Sequence, residues 1–202
     1  MQLLLVRHAL PNRSEHGQGS DPELSDAGVE QAARLPEALK RFPITRVVSS
    51  PQRRAVQTGQ PVADACGLLV EIDDRLAEYD RDMKEYLPIE QLRAERPEDW
   101  ARMAQGHLPG GVDEDAFRAR IGAALADIAT AADRDDTVVV FSHGGVINVL
   151  LHEILGTRRM LSFPIDYASV TRLLYGRSGQ PTVAAVNGTE HVWDLLPRNQ
   201  RW

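Results

Sequence analysis

The chain has 202 residues, 43% of them hydrophobic and 26% charged, with a formal net charge of −6. That length suits one domain, or a core domain carrying a small insert. No basic stripe is present to neutralise a nucleic-acid backbone, and apolar runs such as residues 3–6 and 137–141 fall far short of the roughly 20 residues a membrane-spanning helix needs.

The chain opens on Leu3-Leu4-Leu5-Val6, an uninterrupted apolar run suited to a strand buried on both faces. The polar, Gly- and Pro-containing stretch from Pro11 to Glu23 reads as an exposed loop. Ser25 or Asp26 can cap a helix running to about Lys40, with Pro36 kinking it. Residues 45–49 form the second strand. Pro51 then begins a helix at a favoured first-turn position, reaching to about Ala65, and residues 68–72 form a third strand. The single cysteine, Cys66, lies among Val62, Ala63 and Ala65 and is expected to be a packed core thiol. One cysteine excludes an internal disulfide and a cysteine-based metal cluster. That usage, with no basic segment and long apolar stretch at the N-terminus, is consistent with the cytoplasm.

Residues 75–112 break the alternation of strand and helix. They hold Pro88, Pro97 and Pro109 among mixed charges, with one helix predicted over 89–105 as a cover over any pocket below. Asp113 caps a helix whose Phe117, Ile121, Ala124, Leu125 and Ile128 share one stripe. Residues 137–141 form another buried strand, Gly144-Gly145 opens a helix to about Leu155, and residues 169–175 and 182–187 complete the strands. The pattern predicts an α/β three-layer sandwich: a single domain over residues 1–202 with a mainly parallel central sheet, helices on both faces, and residues 75–112 as a helical cap.

In such sheets ligands bind beyond the carboxyl ends of the strands. The residues there are Arg7-His8, Ser49-Ser50 followed by Arg53-Arg54, and Ser142-His143. Two histidines and several arginines thus converge from distant segments. A phosphate monoester needs cationic donors around its non-bridging oxygens, which bidentate arginine suits, plus an in-line nucleophile and an acid for the leaving oxygen. Arg7, Arg54 and His143 can surround the phosphoryl group while a neutral His8 attacks. The helix opening at Gly144 adds backbone donors and a favourable dipole. Of the two neighbouring arginines, one is expected to point inward and the other to be a solvated charge.

These residues resemble a known family. Val6-Arg7-His8 after an N-terminal strand is similar to the Arg-His signature of the histidine phosphatase superfamily, with its phosphoglycerate-mutase-like fold. Residues 49–58, Ser-Ser-Pro-Gln-Arg-Arg-Ala-Val-Gln-Thr, resemble its second motif, which makes Arg54 the phosphate-holding arginine. Residues 74–78 are similar to the stretch ending in the proton-donating acid, here Glu78, with Asp80 as the alternative. Phe141-Ser142-His143-Gly144-Gly145 resembles the segment of the second catalytic histidine. Leu24 to Gly28 and Pro109-Gly110-Gly111 match further landmarks, in family order. The resemblance implies a phosphohistidine on His8, with His8, Glu78 and His143 catalytic and Arg7, Arg54, His143 and Gly144 binding phosphate; two histidines flanked by arginines repel a dication, so no metal or cofactor is expected. Ala9 stands where the family usually has glycine, so a methyl group is expected to crowd the phosphate loop. Leu10 and Pro11 replace more polar residues, and Val112 stands where a glutamate is common, with Asp113 a partial substitute.

Three functions compete. The first is a phosphomonoester hydrolase acting on a small phosphorylated metabolite. The second is a phosphoglycerate mutase, disfavoured because residues 78–83 lack the mutases' glycine-bearing clamp. The third is a phospho-ligand or protein-binding module without turnover, supported only by residues 9–11. The mixed charges of residues 88–106 fit sugar phosphates, phosphoglycerate and nucleotide monophosphates alike. His16 is expected at the pocket rim, His107 and His152 on surface or helix, His191 near the last strands. Trp100, Trp193 and Trp202 are expected to be packing anchors.

Overall fold

A computed structural model describes residues 1–14, 19–176 and 179–200; His16 and Trp202 lie outside these. Six strands form one sheet: β1 (Gln2–Arg7), β2 (Ile44–Ser49), β3 (Val70–Ile72), β4 (Thr137–Ser142), β5 (Val170–Tyr175) and β6 (Pro181–Gly188). Their order is β3-β2-β4-β1-β5-β6. β3, β2, β4 and β1 run parallel, whereas β5 and β6 pair antiparallel at one side. The helices are α1 (Asp26–Leu39), α2 (Arg53–Cys66), α3 (Ile89–Glu95), α4 (Pro97–Ala104), α5 (Glu114–Thr130) and α6 (Gly144–Leu155).

Side chains on a strand alternate between faces, so β1 feeds two cores. Leu3 and Leu5, with Val138 and Val140, pack against Phe117, Ile121 and Leu125 of α5 and Ile147 and Leu151 of α6. Leu4 and Val6, with Val139 and Phe141, pack against Leu35 and Leu39 of α1 and Val62 and Ala63 of α2. Helices therefore cover both faces, and the expected stripe on α5 is the buried one.

Three local expectations are corrected. α2 starts at Arg53, because Gln52 stays extended as its N-cap (φ −69°, ψ 132°) and uses its side chain elsewhere. The helix expected over 89–105 is two: Arg96 takes φ −134° and ψ 71°, as a residue before proline tends to, and α4 restarts at Pro97. Cys66 is exposed, not core, since α2 ends there and Gly67 turns the chain away in the left-handed region at φ 66°.

Candidate active site

The parallel register assembles the site. Arg7 lies opposite Ser142 and Val6 opposite Phe141, while Ser49 of β2 faces Phe141 from the other side. Beyond these pairs the backbone N–H of His8 donates to Ser142 O and that of Ser50 to Phe141 O. His8, His143 and Ser50 thus leave the sheet side by side, and the two imidazole centroids are 5.2 Å apart.

The state of each histidine follows from its partners. His8 Nδ1 lies 2.8 Å from Ala9 O, and a carbonyl can only accept, so Nδ1 carries the proton and Nε2 keeps its lone pair. Burial, then the charges of Arg54 and Arg7, hold its pKa well below 6.5, so the ring is neutral at pH 7. His143 Nε2 meets Ser50 Oγ at 2.7 Å. Ser50 Oγ also accepts from Gln52 N–H, and when its own proton goes to His143 Nε2 the His143 proton sits on Nδ1. That Nδ1 is buried with no hydrogen-bond partner among the described residues. Burial and Arg54 depress this pKa as well, so His143 is a neutral donor here and not the cation expected from sequence.

Arg54, fully buried, is the inward member of the pair, while Arg53 is exposed beside Glu23. Asp80 grips Arg54 Nη2 with both carboxylate oxygens at 2.9 Å, and Ser20 O accepts from Nη1. Arg54 Nε is buried without a partner among the described residues. Arg7 donates to Ile165 O. Each guanidinium lies over a tyrosine: Arg7 3.8 Å from the Tyr167 ring centre, Arg54 4.6 Å from that of Tyr86. The two tyrosine hydroxyls hydrogen-bond to each other. Cation–π contact and the shared hydroxyl bond therefore fix both arginines against one wall.

Glu78 is almost completely buried. Its Oε2 accepts from Gly145 N–H at 2.8 Å and its Oε1 from Tyr79 N–H at 3.2 Å. Burial and the neighbouring Asp80 charge outweigh these bonds and push its pKa up to about 7. A Cβ on Gly145 would stand 2.4 Å from Glu78 Oε1, so any larger residue there would displace the carboxyl. The expectation that the α6 N-terminus offers its donors to phosphate is corrected at this position: the Gly145 N–H serves Glu78. Gly144 lines the cavity beside Arg7.

Gln52 ties the segment together, accepting from the Glu78 backbone N–H and donating to the Asp80 carboxylate. Sequence reasoning left Ser50, Gln52, Tyr86 and Tyr167 unassigned; the first two stand inside the second motif, which was the available signal. The methyl of Ala9 packs in the core with Val6 and Phe141, away from the cavity. Leu10 bonds to Gln31 and Ser25, so the loop turns its polar groups toward α1. Asp113 is occupied capping α5.

His8, Arg7, Arg54, Glu78 and Gly144 line one cavity of about 480 Å³; His143 is fully buried behind His8, 5.2 Å from it between ring centres, and is not itself part of the lining. His107, His152 and His191 lie elsewhere, on Glu114, Thr157 and Ala168 O. Trp100 lines the cavity instead of serving only as an anchor, and Trp193 is exposed. Among the described residues no helix is long and apolar enough to cross a membrane, and no group of three potential ligands could hold a metal ion.

A sequence profile described as the histidine phosphatase superfamily (branch 1) matches residues 3–189. The chain belongs to the histidine phosphatase superfamily. It is an enzyme of the histidine phosphatase type with a phosphoglycerate-mutase-like fold. A relative in Enterobacter sp. (strain 638), called probable phosphoglycerate mutase GpmB, is 33% identical over 77% of this chain and 75% of its own. Among solved structures, a mycobacterial glucosyl-3-phosphoglycerate phosphatase superposes with a TM-score of 0.77 at 26% identity, covering 93% of this chain and 98% of the other. The same phosphatase with inorganic phosphate gives 0.75 at 27%, over 95% and 99%.

Proposed function

We propose that this protein is a phosphomonoester hydrolase working through a phosphohistidine on His8. The observation that carries the reading is the fixed tautomer: a buried, neutral His8 with its proton committed to Ala9 O and Nε2 left as nucleophile. Arg7, Arg54 Nε and His143 Nδ1 hold the three phosphoryl oxygens, and the buried unpartnered donors gain the acceptor they lack. Nε2 forms a bond to phosphorus as the ester P–O bond breaks. Glu78, protonated up to about pH 7, gives its proton to the departing alcohol oxygen. Water then attacks phosphorus, Glu78 takes the proton back, the N–P bond breaks and inorganic phosphate leaves. No metal or cofactor enters any step.

The test is rapid denaturation of the enzyme in alkaline detergent after mixing with a phosphorus-labelled ester. We expect an acid-labile, base-stable label on His8, and for His8→Ala no label and phosphate release lower by about 10³-fold or more. A His8→Ala protein that keeps most of its turnover rejects the mechanism.

A second reading, phosphoryl return to another hydroxyl, is favoured by the identity to a probable phosphoglycerate mutase. Incubation with 3-phosphoglycerate separates the two: the hydrolase releases phosphate, and the mutase forms 2-phosphoglycerate.

A further inference from the structure

We propose that the preferred substrates are monoesters of uncharged, apolar alcohols carrying an aromatic or branched group, and that a carboxylate on the alcohol portion is rejected. This rests on the hydrolase reading above and specifies what that site accepts. The argument begins where the phosphate end of the cavity stops. Beyond Arg7 and Arg54 the lining is mainly apolar: Leu92, Trp100 and Met103 from α3 and α4, and Leu161, Phe163 and Pro164 from the segment after α6. The mixed charges of the cap, which suggested sugar phosphates or phosphoglycerate, do not turn inward. Arg93 is exposed, Arg96 pairs with Glu85, and Arg102 donates to Leu108 O.

The polar groups that do reach the upper wall bond to one another or to the backbone. Asn148 donates to Gly144 O and Phe163 O and accepts from Ser162 and Phe163 N–H, which exhausts its amide. Tyr86 and Tyr167 bond to each other. The one cation of the upper wall among the described residues, Arg198, is ion-paired with Asp166 at 2.8 Å. A carboxylate entering here would lose its water and meet, among the described residues of the upper wall, only a cation whose charge Asp166 already offsets, whereas a ring or branched chain would displace water from apolar surface. The volume, about 480 Å³, lies within the roughly 300–1,000 Å³ usual for small-molecule sites.

The wild-type protein is assayed for phosphate release from benzyl phosphate, 4-carboxybenzyl phosphate, ethyl phosphate and 3-phosphoglycerate. The two benzyl esters leave as alcohols of closely similar acidity, so the carboxylate is the variable. We expect kcat/KM for benzyl phosphate to exceed each of the other three by about tenfold or more. Trp100→Ala should shrink the ratio of benzyl to ethyl phosphate several-fold through KM. Binding of benzylphosphonate and phosphonoacetate to His8→Ala, by calorimetry, reads the same preference without turnover, and benzylphosphonate should bind more tightly. Equal or better turnover or binding of the carboxylated compounds overturns the substrate class while leaving a hydrolase. Absence of phosphate release from every ester rejects the hydrolase reading instead, and the phosphonate order then decides whether the apolar preference stands.

Discussion

Glu78 and Asp80 stand two positions apart on one short segment and both line the cavity, yet their surroundings differ. Asp80 has Arg54 across a bidentate pair and Gln52 as a further donor. Glu78 has, among the described residues, two backbone N–H groups, and burial dominates, so it holds its proton to about pH 7. An acid with that pKa is active when protonated, so kcat/KM for an alkyl phosphate should fall as pH rises through about 7, tenfold per unit beyond it. Glu78→Gln should abolish that limb and lower kcat for an alkyl ester by about 10²–10⁴-fold. With p-nitrophenyl phosphate, whose leaving group needs no proton, the loss should be much smaller. A pH-rate series on both substrates checks this, and equal losses on the two would remove Glu78 from the acid role.

Between elements, the approach of α1 to the loop after β1 is set at Gly28. Ser25 donates from both backbone and side chain to Leu10 O and caps α1 at Gly28 N–H. A Cβ on Gly28 would lie 2.0 Å from Leu10 O, a backbone atom that moves only with the loop. That loop includes Ala9, whose carbonyl fixes the His8 tautomer. Gly28→Ala should therefore destabilise the fold by about 1–3 kcal/mol despite alanine's better helix propensity, and lower kcat as well. Urea unfolding and steady-state rates read both, and a variant of unchanged stability would show that the contact yields freely. At this scale the sequence was most legible where hydrophobicity alone decides, as in β1, β4, the α5 stripe and α6. It was least legible where a side chain or proline acts locally. Gln52 delays α2 to hold Glu78 and Asp80, and Pro97 divides the cap into two helices. In the site, the sequence pointed to His8, His143 and Arg54, which the strands do bring together. Those that act through others, Ser50, Gln52, Tyr86 and Tyr167, become visible only when the strands bring them together.

For the molecule as a whole, the buried site links folding to pH through groups of opposite sign. The pKa values of His8 and His143 are depressed on folding. Their contribution is complete above the unfolded value and lost as pH falls through the folded one. Glu78 is raised from 4.5 to about 7, so its contribution is complete below 4.5 and lost as pH climbs to about 7. Over the window from about pH 5 to 6.5, unfolding takes protons up on the histidines and releases one from Glu78, and the two effects partly cancel. Glu78→Gln removes the opposing proton. The slope of unfolding free energy against pH should then steepen in that window by up to about 1.4 kcal/mol per unit. The variant's advantage over the wild type should grow from about pH 5 and level off above pH 7. A rise from 4.5 to about 7 corresponds to a plateau of about 3 kcal/mol. Urea unfolding of both proteins at intervals from about pH 5 to 8 measures it. A difference that stays constant across this range would mean that Glu78 ionises in the folded protein as readily as in the unfolded chain, and burial would then not be what readies it to donate a proton.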